Sequence, residues 1–261
     1  MQLIALQYAP SWLDKAKTHA TVERLLAATD LSPGALVVLP EMCDTGWSLD
    51  IDAAVAGDTR TWALAVAARF DISLCIGFAE LAGDDRGSNC SLIAHANGTL
   101  GPLYRKMHPF SFGAEAKVYD GGDALVVDRC RSVPIGLSIC YDLRFPELYR
   151  HNALAGAEIF TVIASWPTER AAHWRALTIA RAIENQAYVV AVNRVGSDPT
   201  FTYGGGSLIV SPLGEVLAEG GNGEEVLSAV FDRDMLDEWR TTFPALSDTR
   251  PNLLGISSAQ D

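Results

Sequence analysis

Short runs of apolar residues recur along the chain, and stretches with helical spacing separate many of them. Runs such as the one at 35–39, which ends at Pro40, are typical of buried strands. We predict strands at 3–6, 35–39, 72–78, 91–95, 99–104, 134–139, 159–163, 188–192, 207–210, 215–217 and 226–231. We predict helices at 14–28, 59–70, 147–155, 169–187 and 234–240. This alternation, with hairpins between some strands, favours one α/β domain with mixed sheets over residues 1–261.

The long helix predicted at 169–187 carries several small or apolar residues on one face. These residues are Ala172, Ala176, Ala180, Ile183 and Ala187. A charged pair on the same helix, Arg181 and Glu184, is expected to brace the helix or to lie at an interface, and not to bind substrate.

Charge and cysteine content exclude several classes of protein. The 32 acidic and 20 basic residues give a net charge of −12, which disfavours binding to nucleic acid or to an anionic membrane. No apolar run is long enough for a membrane span, and no signal peptide is expected at residues 1–10. The five cysteines are scattered and odd in number, without CxxC spacing. We therefore expect a cytoplasmic protein with no disulfide framework and no metal site.

The segment Ser138–Asp142 places a thiol, Cys140, between the strand predicted at 134–139 and a helix start near Pro146. A strand-to-helix corner offers unpaired backbone N–H groups and the positive end of a helix dipole, which both favour a reactive thiolate. Buried cysteine is also a common core residue. The corner alone therefore leaves a nucleophile and a packing residue as two interpretations.

A cysteine nucleophile needs a base and a stabiliser for the oxyanion. The five histidines show no familiar pairing with Cys140. Glu41, just after the apolar strand at 35–39, is placed where burial can tune a carboxylate as a base. Lys106 follows a strand in an aromatic-rich turn and can supply a positive charge. Taken singly, each is better explained as a solvated surface residue.

Together, Glu41, Lys106 and Cys140 resemble the Glu-Lys-Cys triad of the nitrilase superfamily of carbon-nitrogen hydrolases. The resemblance extends over nearly the whole chain. It includes the segments Leu39-Pro40-Glu41, Arg105-Lys106-Met107-His108, Cys140 to Glu147, Ala180 to Gln186 and Ser211 to Glu215.

The resemblance implies a four-layer αββα sandwich with mixed sheets, a homodimer, and no metal or cofactor. In this family the residue at Glu41 is the general base and the residue at Lys106 stabilises the tetrahedral intermediate. The backbone N–H of Tyr141 is the expected second oxyanion donor, and Cys140 is expected to form a thioester. Glu115, ahead of Tyr119, matches a second glutamate of the family and is expected to have a positioning role.

Next to the thiol, Asp142 and Arg144 are expected to brace the corner through a charge-assisted pair. The segments Ser165-Trp166-Pro167 and Asn193 to Asp198 resemble the omega-amidase branch, whose substrates are small amides with a free carboxylate, such as 2-oxoglutaramate and succinamate. Trp166 is expected to line the substrate pocket. The candidates for binding the substrate carboxylate are Arg144, His173 and Arg194.

Two alternatives remain open from the sequence. The same triad can serve short aliphatic amides, deaminated glutathione or N-carbamoyl compounds, because the pocket sets the specificity. A non-catalytic scaffold of the same fold is a more remote hypothesis, since all three residues of the triad are present.

Overall fold

A computed structural model describes residues 1–83 and 85–250. Within these residues the helices are α1 (Lys15–Ala27), α2 (Ile51–Val55), α3 (Thr59–Phe70), α4 (Glu115–Val118), α5 (Pro146–Leu154), α6 (Ala171–Asn185) and α7 (Arg233–Thr242). Side-chain caps define several helix starts: the Asp14 carboxylate accepts from the Lys17 N–H before α1, and Asp58 caps α3 in the same way. None of the helices in the described ranges is long and apolar enough to cross a membrane.

The strands in the described ranges form two large sheets and one small one. They are β1 (Gln2–Gln7), β2 (Leu36–Val38), β3 (Ser73–Leu81), β4 (Gly87–His95), β5 (Tyr104–Arg105), β6 (Tyr119–Asp120), β7 (Val127–Cys130), β8 (Val133–Ile139), β9 (Ile159–Ala164), β10 (Tyr188–Asn193), β11 (Val195–Ser197), β12 (Thr202–Gly204), β13 (Leu208–Val210), β14 (Val216–Glu219) and β15 (Glu225–Val230).

Both large sheets have parallel strands at the centre and antiparallel strands at the edges. The first sheet has the order β15-β1-β2-β3-β4-β5, with β6 beside β4, and its β1, β2 and β3 run parallel. The second has the order β14-β13-β10-β9-β8-β7, and its β8, β9 and β10 run parallel. Strands β11 and β12 form a separate hairpin. The carboxyl ends of β2, β8 and β9 lead directly to Glu41, Cys140 and Ser165.

Alternating side chains divide the apolar residues between two cores. Leu36 and Val38 of β2 face the second sheet, whereas Val37 packs beneath α1 and α3 on the outer side. Helices α5 and α6 cover the other side of the second sheet. The layers therefore follow the order helix, sheet, sheet, helix, and the expected α/β sandwich with mixed sheets is confirmed.

Most predicted elements are present, and the prediction of α3 agrees with its observed bounds, Thr59–Phe70. The segment predicted as a strand at 99–104 forms only an isolated bridge at Leu100 and the short strand β5. On α6, the face with Ala172, Ala176 and Ile183 points to solvent. The side chains that α6 buries are Trp174, Thr178, Arg181, Ala182 and Asn185. Their mixed polarity explains why periodicity alone does not identify the buried face.

Candidate active site

Glu41 is fully buried and its carboxylate accepts three hydrogen bonds. Its Oε1 atom lies 2.7 Å from the Lys106 ammonium and 2.7 Å from the Asn89 amide nitrogen. Its Oε2 atom accepts from the Ser165 N–H at 2.8 Å. Gly77 of β3 allows the backbone to pass closely behind, because a Cβ at Gly77 would lie 3.0 Å from the Glu41 Cα atom. The carboxylate is thus held in a fixed orientation as an acceptor.

Lys106 follows β5 and is 1% exposed. Its ammonium contacts Glu41 at 2.7 Å and the two oxygens of Glu115 at 3.0 and 2.9 Å. Burial by itself favours the neutral amine, but the carboxylates of Glu115 and Glu41 outweigh it and raise the pKa of Lys106 above its ordinary value. The lysine is therefore a permanent cation at the base of the site.

Glu115, the first residue of α4, is fully buried. Besides Lys106, it accepts from the Phe110 N–H at 2.7 Å and from the Asn89 amide at 2.8 Å. These bonds join both ends of the segment 110–115 to the lysine. The positioning role expected for Glu115 has this geometry as its physical basis.

Cys140 follows β8 and begins a short 3-10 turn, Cys140–Arg144. Its φ is +48°, in the left-handed region that residues with a Cβ disfavour. The turn directs the sulfur away from the strand, to 3.9 Å from the Ser165 carbonyl oxygen. The residue keeps 9% of its surface exposed, and this surface lines the cleft described below.

The electrostatics at the sulfur favour a resting thiol. Burial raises the pKa of Cys140 well above its ordinary value, and the Glu41 carboxylate adds to this effect. The Lys106 ammonium opposes it without reversing it. A base that removes the proton during attack is therefore needed, and Glu41 is the nearby buried carboxylate with a defined orientation.

The predicted pair between Asp142 and Arg144 is wrong. Asp142 is fully buried, and it accepts from the Tyr104 hydroxyl at 2.6 Å and the Ile139 N–H at 3.0 Å. Its other oxygen lies 2.8 Å from Nδ1 of His108 and accepts from the His108 N–H at 3.0 Å. Asp142 thus turns into the protein, whereas the Arg144 side chain turns towards the cleft.

The corner is braced by a different arginine. Arg181 of α6 donates through its Nε and Nη2 atoms to the Leu143 carbonyl at 3.1 and 2.7 Å. The same guanidinium pairs with Glu184 at 2.9 Å. The prediction that Arg181 and Glu184 are bracing residues agrees with this geometry.

Cys140 lies at the wall of a narrow cleft. The lining consists of Trp47, Lys106, Phe110, Glu115, Cys140, Tyr141, Arg144, Ser165, Trp166, Pro167, Arg170, Phe201 and Tyr203. Six of these thirteen residues are aromatic, and Lys106 and two arginines supply positive charge. Such a cleft suits a small substrate with an apolar stem and an anionic end.

The structure separates the four predicted pocket residues into two groups. Trp166 and Arg144 line the cleft, and the Arg144 guanidinium lies 4.8 Å from the Trp166 ring centroid. Arg194 is 1% exposed and lies behind the wall, 4.5 Å from the Tyr203 ring centroid. His173 is exposed on α6 and approaches Arg144 at 3.4 Å. Neither Arg194 nor His173 is among the lining residues.

Reasoning from the sequence missed several residues that touch or line the site. They include Asn89, Ser165 (through its N–H) and Arg170, and the aromatic residues Trp47, Phe201 and Tyr203. Asn89 could have been noticed because it is a polar residue within a strand, β4, whose other residues are mostly buried. A buried amide side chain needs hydrogen-bond partners. Backbone donors such as the Ser165 N–H leave no sequence signal. In the described ranges, no group of three or more His, Cys, Asp or Glu residues is arranged to hold a metal ion.

The carbon-nitrogen hydrolase family model matches residues 3–241. A 2-oxoglutaramate amidase of Bacillus subtilis is 35% identical over 252 residues, 95% of this chain and 92% of that protein. An omega-amidase of Escherichia coli, YafV, is 33% identical over 95% of this chain and 96% of its own. A 2-oxoglutaramate amidase of Paenarthrobacter nicotinovorans is 42% identical over 171 residues, which are 63% of this chain and 58% of that relative.

The fold has a close counterpart among solved structures. A protein of Xanthomonas campestris, described as a CN-hydrolase superfamily protein with an arsenic adduct in the active site, superposes with a TM-score of 0.88. It is 32% identical, and the match covers 96% of this chain and 97% of the other. The chain therefore belongs to the carbon-nitrogen hydrolase family, the nitrilase superfamily, and it is a hydrolase that acts on carbon-nitrogen bonds other than peptide bonds.

Proposed function

We propose that the protein is an omega-amidase, which hydrolyses the terminal amide of small amides with a free carboxylate, such as 2-oxoglutaramate or succinamate. One observation carries the proposal: Cys140 opens into an aromatic cleft that also contains the Arg144 guanidinium. The same cleft is lined by Lys106, whose ammonium lies 2.7 Å from the buried Glu41 carboxylate, and this combination suits amide cleavage. The names of the relatives support the same substrate class.

In the first half of the reaction, Glu41 accepts the Cys140 proton while the sulfur attacks the amide carbon. Lys106 and the Tyr141 N–H stabilise the negative oxygen of the tetrahedral intermediate. Glu41 then returns the proton to the nitrogen, the C–N bond breaks and ammonia leaves. The product of this half is a thioester between the acyl group and Cys140.

In the second half, Glu41 accepts a proton from water as the water attacks the thioester. Lys106 again faces the oxyanion, and the C–S bond breaks to release the carboxylic acid. The proton returns to the sulfur, which restores the resting thiol. Glu115 contributes by holding Lys106 and the Phe110 N–H, and it exchanges no proton with substrate.

The substrate carboxylate is received by Arg144. Its guanidinium is half-buried against Trp166 and Tyr141, at 4.8 and 5.8 Å from their ring centroids. This stacking fixes the planar fork that binds a carboxylate in a bidentate manner. The Trp166 ring then packs against the carbon stem of the substrate.

Ammonia release from succinamate and 2-oxoglutaramate tests the proposal, with propionamide, an N-carbamoyl amine and deaminated glutathione as competing substrates. We expect the two carboxylate-bearing omega-amides to give the highest kcat/KM, and Cys140→Ala to abolish turnover. Preference for another amide would overturn the specificity. A wild-type protein that releases no ammonia and forms no acyl adduct at Cys140 would favour the scaffold hypothesis.

We also infer that the protein forms a homodimer through the exposed face of α6. Ile183 is 51% exposed and Leu213 is 45% exposed, and Gly214 in the same turn lies against Ile183. Exposed large apolar side chains that lie close together favour self-association. Ile183→Asp should shift the mass in light scattering towards a monomer, and Leu81→Asp, at another exposed position, should not. The cytoplasmic location is supported by five unpaired cysteines.

A further inference from the structure

Two arginines of the cleft are held on aromatic faces. The Arg144 guanidinium lies over Trp166, and the Arg170 guanidinium lies 5.3 Å from the Phe110 ring centroid. Both side chains are half-buried and both line the cleft that contains Cys140. A guanidinium stacked on a ring keeps its N–H groups available around its edge.

Trp166 connects the two arginines. Its ring lies under Arg144, and its indole N–H donates to the Arg170 carbonyl oxygen at 2.8 Å. Arg170 ends a short turn, Thr168–Arg170, that directly follows Trp166 and Pro167 and leads into α6. One buried side chain therefore contacts both the guanidinium of Arg144 and the backbone of Arg170.

Neither arginine has a carboxylate partner within 4.0 Å in the described ranges. Most other arginines do have one: Arg24, Arg60, Arg69, Arg86, Arg105, Arg175, Arg181 and Arg233. Arg144 and Arg170 are set apart by lining the same cleft as Cys140. Apart from the 3.4 Å contact between Arg144 Nη2 and His173 Nδ1, their side-chain N–H donors are available to a ligand in the part of the chain that the structure describes.

We propose that Arg170 is a specificity-determining residue that binds a second oxygen of the substrate, next to the carboxylate bound by Arg144. A single carboxylate accepts the paired N–H donors of one guanidinium. The donors of a second guanidinium in the same cleft fit a substrate with an additional oxygen acceptor on the adjacent carbon, as in a 2-oxo acid. Arg170 thus favours 2-oxo acid monoamides over unsubstituted dicarboxylate monoamides. This inference depends on the proposed omega-amidase function.

Steady-state kinetics with a matched pair of substrates tests the role of Arg170. 2-Oxoglutaramate carries the 2-oxo group, whereas glutaramate has the same carbon skeleton without it. We expect Arg170→Gln to lower kcat/KM for 2-oxoglutaramate about 10- to 100-fold more than for glutaramate, mainly through KM. Arg144→Gln should lower kcat/KM for both substrates, and Arg24→Gln, an exposed control with the same change of charge, should leave both constant.

Arg170→Met separates charge from packing, because methionine can still cover the Phe110 ring. If Arg170 served only to pack, the methionine variant would retain the wild-type preference, and the inference would be overturned. We expect the preference to be lost instead. Arg170→Lys should recover only part of it, since an ammonium has no planar fork.

Equilibrium binding provides a measurement without turnover. In a Cys140→Ala background, calorimetry should show 2-oxoglutarate binding more tightly than glutarate, and Arg170→Gln should reduce this difference about 10-fold or more. Equal binding of the two acids in both proteins would refute the role of Arg170 while leaving the omega-amidase function intact. A wild-type protein that hydrolyses neither omega-amide would refute both.

Discussion

The side-chain nitrogen of Asn89 lies 2.7 Å from the Oε1 atom of Glu41, the same oxygen that accepts from Lys106. The same nitrogen donates to Glu115 at 2.8 Å. One amide therefore holds both buried carboxylates as acceptors, and its orientation is fixed, because a rotated amide would point oxygen at two anions. Asn89 and Lys106 together compensate two negative charges that have no access to solvent.

Replacing Asn89 should lower activity by releasing the catalytic carboxylate. Asn89→Leu removes one hydrogen-bond donor from both Glu41 and Glu115, so the two side chains lose a shared bond that fixes their orientation. We expect kcat/KM at pH 7 to fall about 10- to 100-fold. Asn97→Leu in an exposed turn is the matched control. An Asn89→Leu variant with the wild-type kcat/KM would contradict this role of Asn89.

Substituting Glu41 should have opposite effects on two properties of Cys140: its pKa should fall, which makes the thiol more acidic, and its activity towards the amide should decrease. Glu41→Gln removes the base, so kcat/KM for the amide should fall at least about 100-fold. It also removes a negative charge that raises the pKa of Cys140, so alkylation by iodoacetamide should reach half-maximal rate at a lower pH than in the wild type. Mass spectrometry of the alkylated protein over a pH series measures this shift. Glu238→Gln, at an exposed position, should change neither property.

Asp142→Asn should destabilise the corner that positions the nucleophile. Each carboxylate oxygen of Asp142 accepts from donors, and an amide NH₂ would face either the His108 N–H or the Ile139 N–H. We expect the free energy of unfolding to fall by about 2–4 kcal/mol in urea titrations. Asp14→Asn, at a helix N-cap where asparagine serves equally well, should change it by less than about 0.5 kcal/mol. Equal effects would contradict the proposed bracing by Asp142.

Alkaline pH should destabilise the fold through buried thiols. Burial raises the pKa of Cys75 to about 11 from a model-peptide value of 9.0. Above pH 9 the unfolded chain loses this proton first, so stability decreases as pH rises from 9 to 11. At pH 10 Cys75 alone should account for about 1.4 kcal/mol. In urea titrations from pH 7.5 to 10.5, Cys75→Ala should show a shallower decrease; an equal slope would refute this assignment.

Reasoning from the sequence identified the active-site residues that follow buried strands, but it missed those that lie within strands. Glu41 and Cys140 each follow an apolar run, so the chain itself marks them. Asn89 lies within β4, and the sequence Asn89-Cys90-Ser91 gives no sign that its amide reaches two carboxylates from other segments. Such contacts depend on the register of β3 with β4 and on the packing of the two sheets.

Charge pairs close in sequence proved hard to assign. Asp142 and Arg144 are two residues apart, and reasoning from the sequence paired them. In a 3-10 turn, side chains two apart point in different directions, so one enters the core and the other enters the cleft. The actual partner of Asp142, His108, is 34 residues away. Arg170 was overlooked because residues 169–187 were predicted as one helix, whereas Arg170 ends a short 3-10 turn that precedes α6.

The left-handed backbone at Cys140 limits how this enzyme can be made more heat-resistant. That conformation costs about 1–2 kcal/mol for a residue with a side chain, and the glycine that would relieve the cost carries no sulfur. Substitutions intended to raise thermal stability should therefore be made at other residues with a left-handed backbone, where the side chain takes no part in the reaction. Asp71, which is exposed and ends α3 with a φ of +52°, is one such helix end, and glycine is the residue preferred there.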